Sequence, residues 1–205
     1  MLCSIIEQCR KWQKAIYVNF VDFEKAFDSI HRDTLWKILQ LYGIPQKYIN
    51  IFQALYHHTR CCIKINEGVT DMFDILTGLH QGCVLSPFLF LIVMRRTGDG
   101  RDYGITWGTG KLTDFDLADD IALISDSLVA LQNMTTELQG NAAKVGLWIS
   151  AEKMKAVAVG NTQALSLSIG HKDIEFVEHF QYLGSNISRD GDADYDIHAI
   201  YIFSQ

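Results

Sequence analysis

The chain has 205 residues, 48% hydrophobic content, two prolines and a formal net charge of −6. That length suits one large domain, or one and a half, with a real core, and the composition excludes a disordered or fibrous chain. Its longest apolar run, Pro87 to Met94, falls far short of the roughly 20 residues a membrane span needs, so no membrane partner is expected.

Five cysteines without a C-x-x-C pair read as reduced thiols. No disulfide partner is expected, and the compartment is expected to be intracellular, cytoplasm or nucleus. The amphipathic N-terminal stretch carries Glu7, Arg10, Lys11 and Lys14 and has no signal-peptide apolar core. Charge is unevenly spread: the first 96 residues hold 11 Lys and Arg against 8 Asp and Glu, the remainder 7 against 16. A mildly basic first half is compatible with a polyanion, whereas the acidic second half holds candidate metal carboxylates.

Residues 4–16 are expected to form a short helix with Ile5, Cys9 and Trp12 on one side. Residues 15–21 read as a buried strand running into Asp22-Phe23-Glu24-Lys25-Ala26-Phe27-Asp28. A carboxylate at such a strand end is held rigidly enough for chemistry, or simply caps the next turn. Leu35, Ile38, Leu39 and Tyr42 then recur at helical spacing, with Asp33 or Thr34 as cap and Gly43 as stop. A second helix begins near Pro45 and should bury Ile49, Phe52 and Tyr56. Residues 61–66 and 69–75 make a hairpin around Glu67-Gly68. His57-His58 and Cys61-Cys62 have no second ligand pair at zinc-site spacing, which argues against a zinc site.

Gly78-Leu79-His80-Gln81-Gly82-Cys83-Val84-Leu85-Ser86-Pro87 leads into an apolar helix, Phe88 to Arg96, expected to be deeply packed. Ser86 is its expected N-cap and Pro87 its first residue, and the glycine loop there can receive an anion or merely precede a core helix. Past a polar loop, 97–103, comes a strand at Ile105-Thr106-Trp107. The stretch 112–125 follows, in which Asp119-Asp120 sits at a bend between two apolar strands. Adjacent carboxylates repel by roughly 4 kcal/mol at 4 Å and an effective dielectric of 20, so they need a cation or a wet turn. Residues 127–145 read as an amphipathic helix interrupted by Gly140, with Gly146 just beyond. Short strands are expected at 147–149, 156–159, 165–169, 174–177 and 180–183, with Lys153 and Lys155 on a turn. The acidic tail Asp190 to Asp196 lacks the glycine and glutamate of a calcium loop, and 197–203 is expected to begin a helix.

In order, these elements form a β-α-β-β-α-β progression, the split arrangement that brings a strand end beside a central hairpin turn. Asp22, Asp119 and Asp120 can then share one site, and three carboxylates suit a hard cation such as Mg²⁺.

Three segments closely resemble motifs A, B and C of reverse transcriptases, in the wording of non-LTR (LINE-like) retrotransposons: Asp22 to Asp28, Gly78 to Pro87, and Leu117-Ala118-Asp119-Asp120. Gly146-Leu147-Trp148-Ile149-Ser150 with Lys153 and Lys155 resembles motif D, and Phe180-Gln181-Tyr182-Leu183-Gly184-Ser185 motif E. The resemblance runs from about residue 15 to about 200 and departs from the usual pattern at His80, Leu91 and Leu117.

It implies an α+β fold: a polymerase palm, with a split β-α-β, ferredoxin-like antiparallel sheet and helices on one face, plus part of the fingers. Residues 1–178 would be partial fingers and palm, and 179–205 the primer-grip strands and the start of a truncated thumb connection. The implied activity is RNA-directed DNA polymerisation: two Mg²⁺ ions (Mn²⁺ as alternative) about 3.5–4 Å apart transfer dNTPs to a primer 3′-hydroxyl. The implied partners are an RNA template, a DNA primer and dNTPs. Asp22, Asp119 and Asp120 would be catalytic metal ligands, and Lys153, or else Lys155, the proton donor near pyrophosphate. Phe23 to Ala26 would hold metal and triphosphate through their backbone, Phe27 would exclude a ribose 2′-hydroxyl, and Gln81 and Gly82 would line the nucleotide pocket. Tyr182, Leu183 and Gly184 would be the primer grip. With basic fingers segments and thumb expected outside the chain, little or no polymerase activity is expected of it alone. Two other readings are a catalytically silent retroelement remnant and an unrelated Mg²⁺-dependent phosphohydrolase. The latter does not account for Gln81-Gly82 or the primer-grip motif.

Overall fold

The computed structural model describes residues 2–66, 68–98, 105–107, 110–117, 120–160 and 166–189. Residues 99–104, 118–119 and those from Asp190 lie outside them, and with these the expectations for Asp119, for most of the polar segment 97–103 and for the acidic tail. The chain divides into two compact units: Met1–Phe23, Gly100–Gly140 and Ile149–Gln205 form the first, and Glu24–Asp99 with Asn141–Trp148 the second.

Helix α1, Leu2–Lys11, buries Leu2, Ile5 and Ile6 along one face. The chain leaves it through Gln13 at φ +52, so Trp12 falls beyond the helix and is 70% exposed instead of turned inward. Strand β1, Ile16–Val21, is buried at every position, Asn19 included, as suits a largely apolar central strand. After β2, Phe23–Glu24, and the short α2, Ala26–Ser29, α3 spans Arg32–Leu41 and buries Leu35, Ile38 and Leu39 as their spacing predicts. Its N-cap is His31 without a side-chain bond; Asp33 lies in the first turn, where its charge suits the helix dipole. Helix α4, Gln46–Tyr56, buries Ile49 and Tyr56 and leaves Phe52 half-buried.

The expected hairpin forms as two short ladders: β3, Arg60–Cys61, against β6, Phe73–Asp74, and β4, Lys64–Ile65, against β5, Gly68–Val69. Helix α5, Leu85–Gly98, starts one residue before Ser86. Pro87 is tolerated there because the first-turn N–H groups have no helical partner. The helix is not packed all round: Leu89, Phe90, Val93 and Met94 are buried, but Phe88 and Leu91 are half exposed. Strands β7, Ile105–Trp107, and β8, Gly110–Leu112, pair with each other, and β9, Asp114–Leu117, precedes β10, Asp120–Ser125. Helix α6, Leu128–Lys144, buries Leu131, Met134 and Leu138 in the first unit and ends in the second. There follow β11, Trp148–Ile149; β12, Lys155–Val159; β13, Ser168–Ile169; β14, Lys172–Asp173; β15, Glu175–Phe176; β16, His179–Tyr182; and β17, Ser185–Ser188.

The first unit is built on a sheet of order β15-β12-β1-β10-β9. β1 lies antiparallel between β10 and β12, and β9 is antiparallel to β10. With α6 joining β10 to β12, that is the order the split arrangement demands. On one face Asn19 donates to Thr135 of α6 at 2.9 Å. On the other, Ile16, Val18 and Phe20 pack with α1, Ile105, Ala122, Ile124, Val157, Val159, Tyr182 and Ile187.

Gly140 sits inside α6 with nothing within 4 Å of where a Cβ would stand. Gly140→Ala should therefore stabilise the chain by about 1 kcal/mol, read as a higher urea midpoint. An unchanged or lower midpoint would contradict this.

In the second unit, α6 ends through Gly146 at φ +85, where a Cβ would stand 2.6 Å from both the Ser29 carbonyl oxygen and His31 Cδ2. The adjacent Val145 carbonyl accepts from the His31 N–H at 2.9 Å. Only glycine meets both demands.

Candidate active site

The β1–β10 ladder runs Tyr17↔Ser125 to Val21↔Ile121, so Asp22 and Asp120 occupy the next positions, at the same end of the strand pair. Opposed residues of an antiparallel ladder project to one side, here the side of Phe20 and Ala122. The carbonyl of Asp22 accepts from Ser150 N–H at 2.9 Å, and Lys153 N–H closes the turn onto Ser150 at 3.1 Å. That turn presents Lys153 Nζ 3.3 Å from Asp22 Oδ1. Both side chains face solvent, so this ion pair contributes at most about 1 kcal/mol and is easily exchanged for another partner. Lys155, the alternative, lies in β12 and pairs with Glu175.

Tyr182 Oη donates to the Asp120 carbonyl at 3.2 Å, and its ring lies 5.2 Å from that of Phe20. Phe180 stacks on Phe20 at 4.2 Å. The β16–β17 hairpin turns through Leu183 at φ +50 and Gly184 at φ +81, the two positive values of a type I′ turn. Asp22, Asp120, Lys153 and the Tyr182-Leu183-Gly184 turn thus belong to the first unit, as does the buried Phe23.

Ala26, Phe27, Gln81 and Gly82 belong to the second unit. Phe27 stacks on Phe90 of α5 at 4.5 Å. The loop after β6 is tied to the segment around it by Gly78 N–H to the Ile30 carbonyl at 2.8 Å and Leu79 N–H to the Phe27 carbonyl at 2.6 Å. Thr77 Oγ1 donates to the Asp28 carbonyl at 3.0 Å, and Gln81 Nε2 to Asp28 Oδ1 at 3.4 Å. Gln81 and Gly82 themselves are exposed, with Gly82 at φ +81.

Two residues here were not singled out from the sequence. Arg32 donates to four backbone carbonyls and lies over the Tyr56 ring. The signal was a cation in the first turn of α3, where the helix dipole disfavours one. Burial pushes its pKa below the ordinary arginine value. The second is Cys83. The N–H of Leu85 at the start of α5 holds its thiol below the ordinary value, aided by Ser86. The group facing this helix start is therefore the Cys83 sulfur. Ser86, expected as N-cap, instead donates to the His80 carbonyl at 2.7 Å and meets Tyr56 Oη at 3.1 Å. A lowered pKa means more thiolate at neutral pH, whereas burial raises that of Cys9. Iodoacetamide at pH 7.5 should label Cys83 faster than Cys9, as read by peptide mass spectrometry; equal rates would refute this.

Among the described residues no three His, Cys, Asp or Glu side chains converge; with Asp119 outside them, two of the three expected carboxylates are on view. Asp22 and Asp120 are hard oxygen donors at one solvent-facing strand end, a set that fits a divalent cation.

The family model for reverse transcriptase (RNA-dependent DNA polymerase) matches residues 2–187. The chain belongs to the reverse transcriptase family. Its curated relatives include Pol polyproteins of retrotransposable elements. One, the retrovirus-related Pol polyprotein from type-2 retrotransposable element R2DM of Drosophila melanogaster, is 24% identical over 91% of this chain and 19% of its own length. Another, the transposon TX1 uncharacterized 149 kDa protein of Xenopus laevis, is 27% identical over 82% of this chain and 13% of its own. The chain therefore spans about a fifth or less of the length of these relatives.

Apo telomerase from Candida tropicalis superposes with a TM-score of 0.62 at 14% identity, covering 92% of this chain and 35% of the telomerase. Candida albicans telomerase, in complex with a fragment of telomeric RNA, gives 0.58 at 13% identity, covering 93% and 34%. The fold is thus the α+β palm with part of the fingers that the motifs imply. Reverse transcriptase domains generally use divalent metals. Among the described residues no helix is long and apolar enough to cross a membrane.

Proposed function

We propose that this chain is the catalytic palm, with part of the fingers, of a non-LTR reverse transcriptase that adds dNTPs to a DNA primer on an RNA template. The observation that carries this reading is the alignment of Asp22 with Asp120 at one end of the β1–β10 ladder, with Lys153 Nζ 3.3 Å from Asp22. Asp22, Asp120 and, next to it in sequence, Asp119 would hold two Mg²⁺ ions, for which Mn²⁺ can substitute. Bound there, the ions supply activation of the primer 3′-hydroxyl and charge stabilisation of the leaving pyrophosphate. Lys153 supplies a proton to that pyrophosphate; its place beside Asp22, against the Lys155–Glu175 pairing, favours it over Lys155. Phe23 to Ala26 present backbone to the triphosphate. Gln81 and Gly82 line the nucleotide pocket. Phe27, held flat against Phe90, crowds a ribose 2′-hydroxyl. Tyr182, Leu183 and Gly184 hold the primer end. Residues 1–178 form partial fingers and palm, and 179–205 the primer grip and the approach to a thumb.

Two measurements test this. Mn²⁺ binding followed by electron paramagnetic resonance should be lost in Asp22→Asn. Extension of a labelled DNA primer on an RNA template, at low ionic strength and high protein concentration, should be slow and Mg²⁺-dependent. Metal binding without extension favours the silent remnant, and metal binding indifferent to Asp22→Asn overturns the site. Where extension is seen, Phe27→Ala should cut discrimination against ribonucleotides by roughly tenfold or more; unchanged sugar selectivity would remove the gate role.

A further inference from the structure

Among the described residues the hydrogen bonds shown for the Arg32 side chain all go to main-chain carbonyls. Its Nε donates to the Gly78 carbonyl at 2.8 Å. Nη1 donates to the carbonyls of Ile75 at 2.8 Å and Tyr56 at 3.3 Å, and Nη2 to that of Thr77 at 3.0 Å. The guanidinium carbon lies 5.0 Å from the centre of the Tyr56 ring. Such a planar fan of donors is a property of guanidinium and not of positive charge, because an ammonium cannot address four carbonyls in that spread.

Three of the four carbonyls belong to the strap, Ile75 to Gly78, that leads into Gln81-Gly82, and the fourth is that of Tyr56. The far side of the same loop is anchored from the same hub. His80 stacks on Tyr56 at 4.4 Å and meets Thr59 Oγ1 at 3.1 Å. Ser86 joins the Tyr56 hydroxyl to the His80 carbonyl. Gln81 and Gly82 therefore stand exposed between two fixed flanks, and both flanks run back to Arg32 and Tyr56. On its other side the strap bonds to the Phe27 and Ile30 carbonyls, so the spacing between Phe27 and Gln81 is set by how firmly it is held.

We propose that Arg32 is a positioning residue for nucleotide addition: its guanidinium clasps the 75–78 strap and so fixes Gln81 and Gly82 relative to Phe27. This rests on the reading of Phe27, Gln81 and Gly82 as nucleotide-contacting residues. Arg32 touches no substrate. It acts through the loop.

The test uses Arg32→Lys, which keeps charge and stem, and Arg32→Ala, each in the full chain. Native-state hydrogen exchange should accelerate at least about tenfold at the amides of Gly78 and Leu79, while the α3 amides of Ile38 and Leu39 keep their protection. Methylguanidinium should restore protection to Arg32→Ala but not to Arg32→Lys, whose side chain still fills the space. In single-nucleotide extension with dTTP, Arg32→Lys should raise KM about tenfold with kcat changed less than threefold, because sub-ångström misplacement of the loop weakens nucleotide seating first. Exchange unchanged at Gly78 and Leu79, or accelerated evenly across the second unit, overturns the clasp. A fall in kcat with KM unmoved overturns the positioning role. If the unsubstituted chain neither extends a primer nor binds dTTP in calorimetry, the polymerase reading fails, and the exchange arm alone decides whether Arg32 holds the loop.

Discussion

Asp22→Asn should lower primer extension on the order of 10³-fold or more while leaving the fold as stable as before. The activity loss follows from charge: Asn preserves the shape of the side chain but cannot supply the anionic oxygen a divalent cation needs beside Asp120 and Asp119. The stability expectation follows from position. Asp22 stands one residue past the buried β1 ladder, so its substitution removes nothing from the core. What it removes is the solvent-facing pair with Lys153, worth at most about 1 kcal/mol. Against that stands relief of repulsion with the neighbouring carboxylate, of comparable or larger size when no cation is bound. The two effects oppose each other, and the melting temperature should stay level or rise. A variant that unfolds would make Asp22 a structural residue, and extension retained within tenfold of the unsubstituted chain would remove it from the metal site. Asp119→Asn should lower extension to a similar extent, since the same loss of an anionic oxygen applies.

Much of this site was legible because short-range chemistry dictates it. An apolar run of strand length ending in Asp22, and another leaving Asp120, leave little choice of register: sliding by one residue would turn Phe20 and Ala122 to the opposite face. The glycines at 43 and 146 end helices at positive φ, as a C-terminal glycine does. What escaped depends on partners distant in sequence. Trp12 belongs by spacing to the apolar face of α1, but the helix stops at Lys11, and no local pattern announces that end. Phe88 and Leu91 look like core residues by type, yet only one side of α5 is covered in the second unit. Ser86 satisfies every local rule for an N-cap, and loses the role because Tyr56 and the His80 carbonyl take its hydroxyl. Arg32 is the extreme case. Its four acceptors are backbone carbonyls 24 to 46 residues away, and a carbonyl carries no mark in a sequence.

Gly78→Ala should destabilise the chain by about 2–4 kcal/mol. At φ +78 an alanine is already strained, and its Cβ would stand 2.6 Å from the Asp28 carbonyl oxygen and 2.7 Å from Asp28 Cα. These are backbone atoms, so no side chain can swing aside. The strap itself must move, which stretches Gly78 N–H to Ile30, Leu79 N–H to Phe27 and the Arg32 bond to the Gly78 carbonyl. Each is worth about 1 kcal/mol net, so relaxing the clash costs about as much as bearing it. Gly82 is the control. Its φ is +81 but nothing lies within 4 Å of a Cβ there, so Gly82→Ala should cost only about 1–2 kcal/mol, from backbone strain alone. Urea denaturation of both variants separates the cases: a clear loss for Gly78→Ala and a small one for Gly82→Ala. Equal midpoints would mean that the strap is not pressed against Asp28. The close approach at Gly78 would then not be what holds Gln81 and Gly82 beside Phe27, and their spacing would rest on Arg32 and Tyr56 alone.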